Sequence, residues 1–274
     1  MTSIVVMKHP DAIHLLTDSA SYTVDGVVTG FEDKVSVLPD INMAIFTRGP
    51  VIARHLFALS LVDRFASFDD FILDAPNHVR KVYLDHEDML RQCGHPDTEF
   101  YCFGWSEHRQ RPEGYQIRCG YEDSACYTDA KSAPKLKGGK GVYNKPFILH
   151  SVANLSMAPG IFSSDDLKAA GFPFHLATED MTPEVDMLQI MEMMRRKPCA
   201  RFPDQSKTIT CGGRALLTTV TRRGSSQKVL VEWPDAIGEP IQAAAPVDWK
   251  VWRDGATFRH KLTSSRRALR KVAA

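Results

Sequence analysis

An aspartate and a lysine follow the threonine at position 2 at regular distances. Thr2 leads into the apolar run SIVVM, Asp18 lies sixteen residues after it in LLTDSA, and Lys34 lies thirty-two residues after it in EDKVSVL. A hydroxyl, a carboxylate and an ammonium are groups that a nucleophilic hydrolase uses when the chain folds them together. The three residues therefore indicate nucleophilic catalysis as the candidate chemistry.

Removal of Met1 would give Thr2 both a nucleophile and a base. Methionine aminopeptidases cleave the initiator methionine efficiently when the second residue is small, and threonine qualifies. The new α-amine would titrate near about 7.7–8.0, so it can accept the hydroxyl proton directly or through a water. A nearby cation would help to keep this amine neutral and would stabilise the alkoxide, while a carboxylate would position the cation.

These residues and their surroundings resemble the proteasome-like N-terminal nucleophile hydrolases, the family of the proteasome β-subunits and their bacterial relatives. In that family an aspartate and a lysine follow the threonine at the same two distances. The segments TSIVVMK, LLTDSA and EDKVSVL are similar to its first strands, and NMAIFTRG is similar to the strand that leads into a glycine and the first helix. CGGRALLTTV is similar to a double glycine before the closing strand pair.

The resemblance implies a role for each matched residue. Thr2 would be the nucleophile, Lys34 the cation that tunes it, and Asp18 the carboxylate that orients Lys34. The backbone amide of Gly49, at the start of a helix, would donate to the oxyanion. Gly49 comes one residue later, counted from the lysine, than the glycine of the family.

The family also uses an aspartate and a nearby serine after its last long helix. Asp204 and Ser206, in the segment PDQSKT, are the candidates for this secondary pair. The spacing of these two residues departs from the family pattern. They are therefore secondary to the three residues that match.

Strand patterns occur in three groups along the chain. Runs of β-branched, aromatic and other apolar residues between turn residues predict strands. These runs lie at 2–7, 12–16, 34–38, 41–47, 99–105, 114–119, 215–221 and 228–233.

Helical periodicity lies between these groups. A first helix is predicted with a buried face formed by Ile52, Leu56, Leu59, Val62 and Phe65. A second is predicted from about 68 to 90, broken or kinked at Pro76. A third begins near Thr182, with Pro183 in its first turn. The order predicts an α+β fold, and two antiparallel sheets flanked by helices, the four-layer αββα sandwich of the resembled family, would account for it.

The chain divides into one large domain and a basic extension. The predicted domain covers residues 1–246, with an insertion or long loop at about 120–160, and the extension covers 247–274. The extension carries eight Lys or Arg against two Asp, so its net charge is +6; with a total of +1, residues 1–246 carry −5. A basic extension could contact nucleic acid or an acidic neighbouring subunit; the alternative is a solvated end.

Composition excludes several other classes. Hydrophobic and charged residues make up 43% and 24% of the chain, as in an ordinary globular protein, and no apolar run approaches the roughly 20 residues of a membrane span. We expect a cytoplasmic protein without a signal peptide. The six cysteines form no CxxC pair and the ten histidines no HExxH motif, so we expect free thiols, no metal and no cofactor.

Two functions remain as interpretations of the sequence. The first is a threonine hydrolase, a peptidase or amidase, that forms an ester on Thr2 and assembles into a homo-oligomer or larger particle. The alternative is a catalytically inactive proteasome-like subunit with a structural role in a larger assembly, such as a phage-type particle. In the simplest interpretation, Lys34 and Asp18 are only a buried ion pair between strands.

Overall fold

The computed structural model describes residues 3–23, 25–93, 98–120, 146–158, 162–173, 175–199 and 207–272, and the side chains among them up to residue 261. This part of the chain is α+β with antiparallel sheets, which confirms the predicted class. The strands are β1 (Ile4–Lys8), β2 (Ala12–Thr17), β3 (Ala20–Tyr22), β4 (Val28–Phe31), β5 (Val35–Leu38), β6 (Met43–Arg48), β7 (Thr98–Ser106), β8 (Arg111–Cys119), β9 (Leu149–Ser151), β10 (Leu155–Ala158), β11 (Arg214–Thr221) and β12 (Gly224–Glu232). The helices are α1 (Val51–Leu61), α2 (Phe68–Asp85), α3 (Glu87–Gln92), α4 (Ser164–Ala169), α5 (Pro183–Met194) and α6 (Trp249–Val272).

Two five-stranded sheets and a two-stranded ribbon organise the described strands. The first sheet has the order β10-β1-β2-β11-β12 and the second has the order β5-β6-β7-β8-β9, while β3 pairs with β4. Strand β1 is an interior strand of the first sheet, because Ile4 lies opposite Thr17 on one side and Ala158 on the other. The N-terminal segment is therefore hydrogen-bonded along both of its edges.

The alternation of side chains along β1 separates two parts of the core. Ile4 and Val6 belong to a cluster that also contains Ala44 and Phe46 of the second sheet. Val5 belongs to another cluster, with residues of α5. This period of two is the pattern expected for a strand that is covered on both faces. A third cluster packs α1, α2 and α3 against the second sheet.

The buried face of α1 differs from the predicted one. Ala53, Phe57 and Leu61 are buried, whereas Leu59 and Val62 are 72% and 56% exposed. The predicted face was only partly right, because Leu56 and Phe65 do pack against the cluster of the second sheet. Helix α1 carries apolar residues around most of its circumference, so periodicity alone could not identify the side that packs on the sheet.

Helix α2 continues through Pro76, so of the predicted break or kink at this residue, the break was wrong. Ser67 caps its N-terminus, with a hydroxyl that accepts from the Asp70 amide (3.0 Å), and the helix ends at Asp85. A proline in a helix removes one hydrogen bond. Burial of the side chains on both sides of Pro76, among them Phe71 and Val79, holds the helix in place.

Part of the predicted loop at 120–160 is regular structure. Strand β9 extends the second sheet, and β10 pairs with β1. Most of that loop, residues 121–145, lies outside the described residues.

The basic extension contains helix α6, which contacts α5. Arg253 Nη2 lies 2.5 Å from Asp186 Oδ1, and Arg253 Nη1 donates to Gln189 Oε1 at 2.7 Å. Ala256 is also buried. The first turns of α6 are therefore packed rather than solvated on all sides. Among the described residues, no helix has the length and apolar content to cross a membrane.

Candidate functional site

An ion pair lies where β2 ends and β5 begins. Asp18 directly follows β2 and Lys34 directly precedes β5. Lys34 Nζ donates to Asp18 Oδ1 at 2.8 Å and to the carbonyl oxygen of Ala20 at 2.6 Å. The side chain of Lys34 is 8% exposed and that of Asp18 is fully buried. The fold thus brings together two of the residues that the sequence singled out.

The Asp18 carboxylate also binds the N-terminal segment. Its Oδ1 accepts from the Ser3 amide at 3.0 Å, and its Oδ2 accepts from the Gly212 amide at 3.2 Å. Burial raises the pKa of Asp18, while Lys34 and the two amides oppose this rise. Because Ser3 follows Thr2 directly in the chain, the carboxylate links Lys34 to the backbone next to the predicted nucleophile.

A cavity of about 260 Å³ opens beside the ion pair, and its wall includes Lys34, Thr47 and Gly49. Gly49 has a φ of 135°, a backbone conformation that favours glycine, and Pro50 precedes the first residue of α1. Gly49, whose amide is the predicted donor to the oxyanion, therefore lines the same cavity as Lys34. Its role as a donor stays a prediction.

The lining of the cavity also includes a charged pair, Glu32 and Arg54. Glu32 and Arg54 lie 3.5 Å apart, and the hydroxyl of Ser21 donates to Glu32 Oε1 at 2.8 Å. All three residues line the cavity. The cavity is therefore polar but carries no large excess of charge.

Three predicted site residues cannot be placed. Thr2, Asp204 and Ser206 lie outside the described residues. The carbonyl of Ala20 and the amide of Gly212 also belong to the site and were not predicted from the sequence. Backbone groups leave no side-chain signal, and only the double glycine that includes Gly212 pointed to this turn.

The described residues include no group of three or more His, Cys, Asp or Glu side chains arranged to hold a metal ion. The five described cysteines are free thiols, and four of them are buried. Burial raises the pKa of Cys211, so that its thiol is disfavoured as a thiolate.

The solved structures with a similar fold include proteins from two bacteria. One is an Anbu (Gly-1) mutant from Hyphomicrobium sp. strain MC1, with a TM-score of 0.53, 10% identity and 97% coverage of each chain. Another is Anbu, described as an ancestral beta-subunit, from Yersinia bercovieri, with a TM-score of 0.50, 10% identity, and coverage of 96% of this chain and 95% of that one. At this identity the likeness shows the fold alone, and it supports the proteasome-like fold. No family model and no curated protein matches the chain.

Proposed function

We propose that this protein is a threonine-nucleophile hydrolase, a peptidase or amidase, in which removal of Met1 frees the amine of Thr2. One observation carries the proposal. A single oxygen, Asp18 Oδ1, accepts from both Lys34 Nζ and the amide of Ser3. A buried ion pair by itself adds little net stability. Here the carboxylate of the pair also binds the backbone of Ser3, next to Thr2, which is the contact expected if the pair serves the Thr2 amine.

The Thr2 amine acts as the base. It accepts the proton of the Thr2 hydroxyl as the oxygen attacks the carbonyl carbon of the substrate. The positive charge of Lys34, oriented by Asp18, lowers the pKa of this amine and stabilises the alkoxide. The tetrahedral intermediate collapses when the leaving amine takes the proton from the Thr2 ammonium, and an ester on Thr2 remains. Water then attacks the ester while the amine accepts its proton. The bond between the acyl carbon and the Thr2 oxygen breaks, the Thr2 ammonium returns the proton to that oxygen, and the carboxylic acid leaves.

The cavity beside Lys34 receives the substrate. A volume of about 260 Å³ accommodates one amino-acid side chain next to the bond that is cleaved. The amide of Gly49 donates to the oxyanion, a contribution worth about 10²–10³ in kcat when one such donor is removed. Asp204 and Ser206 act as the secondary pair that supports the Thr2 amine.

We propose that the fold is a four-layer αββα sandwich, in which two packed sheets carry helices on both outer faces. The helix clusters on each sheet and the shared cluster between the sheets support this order of layers. We further propose that the chain is a homo-oligomer or part of a larger assembly, in the cytoplasm. The basic extension contacts an acidic surface there, either a neighbouring subunit or nucleic acid.

Intact-mass measurement and active-site labelling test the proposal. The proposal is supported if the mass of the purified protein shows that Met1 has been removed and if an epoxyketone or β-lactone forms an adduct at Thr2. The Thr2→Ala variant must lose the adduct, and Thr2→Ser, which keeps a hydroxyl, must retain it. A protein that retains Met1, or a protein without Met1 that forms no adduct, favours the inactive structural subunit instead.

A further inference from the structure

The turn formed by Gly212 and Gly213 hydrogen-bonds to both residues that accept from Lys34, Asp18 and Ala20. The Gly212 amide donates to Asp18 Oδ2 at 3.2 Å. The Gly212 carbonyl accepts from the amides of Ser19 and Ala20, both at 3.1 Å. The carbonyl of Ala20 is the second acceptor of Lys34 Nζ. A shift of this turn would therefore move the two groups that fix the position of the ammonium.

A second buried ion pair holds the other side of the same turn. Asp235 Oδ2 accepts from the Gly213 amide at 2.7 Å. Arg195 donates to both oxygens of Asp235, at 2.7 and 3.1 Å, and its Nη1 also donates to the carbonyl of Cys211 at 2.9 Å. Both side chains are at most 4% exposed. The guanidinium stacks on Trp233, with its carbon 4.6 Å from the ring centroid.

The turn fits closely between these two ion pairs. A Cβ atom on Gly212 would lie 2.9 Å from Asp235 Oδ2, and a Cβ atom on Gly213 would lie 2.4 Å from the hydroxyl of Ser19. Gly213 also has a φ of +77°, which favours glycine. Because no free space separates Asp235 from the turn or the turn from Ser19, displacement of Asp235 is transmitted to the Asp18 segment.

We infer that Arg195 and Asp235 are positioning residues for the Asp18–Lys34 pair, acting through the Gly212–Gly213 turn. The bidentate geometry of Arg195 on Asp235 fixes both distance and orientation, which a single hydrogen bond would not do. The effect on catalysis rests on the proposed function. The effect on the geometry of Asp18 does not.

Asp235→Asn and Arg195→Lys test the inference, with Asp186→Asn as the matched control. Asp186, on α5, also has a buried carboxylate in an ion pair, and it contacts Arg253 and the Thr182 amide. In the active protein we expect Asp235→Asn to lower kcat by about 10- to 100-fold with KM changed by less than about threefold, because displacement of a catalytic group by about 1 Å has effects of this size. The acidic limb of the pH profile should move to higher pH, since a displaced Lys34 lowers the pKa of the Thr2 amine less. Asp186→Asn should leave both unchanged.

Two measurements decide the inference without any activity. Hydrogen exchange of the Gly212 amide, and titration of the Asp18 carboxyl followed by carbon-13 NMR, both report on the contact between the turn and Asp18. Faster exchange and a shifted titration in Asp235→Asn, but not in Asp186→Asn, support positioning even when the wild-type protein is inactive. Unchanged exchange and titration overturn it even when the wild type is active. Arg195→Lys, which keeps one charged hydrogen bond, gives the same comparison at smaller amplitude if Asp235→Asn does not fold.

Discussion

Lys34 Nζ lies 2.8 Å from Asp18 Oδ1 in a place where neither side chain reaches much solvent. The pair joins segments that are sixteen residues apart, and the carboxylate also accepts from the amides of Ser3 and Gly212. Three other parts of the chain are therefore bound to one buried carboxylate. Removal of either charge leaves the other uncompensated.

Lys34→Met should lower the free energy of unfolding by about 3–5 kcal/mol, because it leaves the Asp18 carboxylate buried without its cation. Urea unfolding measures this change. The control is Lys81→Met, which removes the ion pair between Lys81 and Asp85. The side chains of that pair are 64% and 50% exposed, so its loss should lower the free energy of unfolding by less than about 1 kcal/mol. Equal effects of the two substitutions would contradict the structural role of Lys34. The double variant with Asp18→Asn should be more stable than the sum of the single effects predicts.

Gly213→Ala should destabilise the protein more than Gly238→Ala. Both glycines have a positive φ, +77° and +87°, so both substitutions introduce backbone strain of about 1–2 kcal/mol. A Cβ atom added at Gly238 would meet no atom within 4 Å, whereas a Cβ atom added at Gly213 would lie 2.4 Å from the hydroxyl oxygen of Ser19. Thermal unfolding of the two variants measures the difference, which isolates the close contact. Equal melting temperatures would show that the turn has room to move.

Acid should weaken the fold through His14. Burial, with a smaller effect of His9, lowers the pKa of His14 from 6.5 to about 4. As the pH falls below about 6.5, the unfolded chain binds a proton that the folded protein does not bind until about pH 4. The unfolding free energy should therefore decrease across this range, by on the order of 3 kcal/mol if His14 alone contributes.

The contribution of His14 can be isolated by substitution. His14→Gln, which can still hydrogen-bond to Thr219, should make the unfolding free energy less dependent on pH between 7 and 4.5. The exposed His55 supplies the control, His55→Gln. An unchanged slope in His14→Gln would contradict a buried neutral imidazole. Part of the slope should persist, since burial also lowers the pKa of His78 to about 4.

Arg253→Ala should loosen helix α6 from α5. The substitution removes the partner of Asp186, whose side chain is 2% exposed, and a hydrogen bond to a charged group is worth about 2 kcal/mol. Cleavage of α6 by thermolysin, followed by mass spectrometry, should become about 30-fold faster if it tracks local opening. The exposed Lys250 gives the control, Lys250→Ala. Equal cleavage of both variants would show that α6 is held by other contacts.

The parts of the fold and of the site that depend on short runs of apolar residues could be predicted from the sequence. The strand runs around Asp18 and Lys34 were readable because each side chain follows or precedes a short apolar strand. The groups that support this pair could not be predicted from the sequence. Gly212, which donates to Asp18, and Asp235, which accepts from the same turn, are about two hundred residues from Asp18 and act through backbone groups or a non-local ion pair. Arg195 directly follows α5, where a cation is favourable at any helix C-terminus, so its position in the sequence does not indicate the contact with Asp235.

Errors arose where apolar residues or a proline made the local signal ambiguous. The face of α1 could not be chosen by periodicity, since the helix exposes Leu59 while it buries Phe57. Pro76 is tolerated because contacts with the second sheet outweigh its local preference. The ribbon of β3 and β4 was missed, since Gly26 and Gly30 made the segment resemble a loop. In each case tertiary packing decided what the sequence pattern left open.

The interior position of β1 determines when during synthesis the site can be completed. The first residues leave the ribosome before the rest, yet β1 must wait for Leu155–Ala158 to form its second ladder, and the Ser3 hydroxyl must wait for the carbonyl of Thr210. A nascent chain therefore carries Ser3 and Asp18 long before their surroundings exist. If the protein is a hydrolase, this topology delays the onset of its reactivity until nearly the whole chain has been translated.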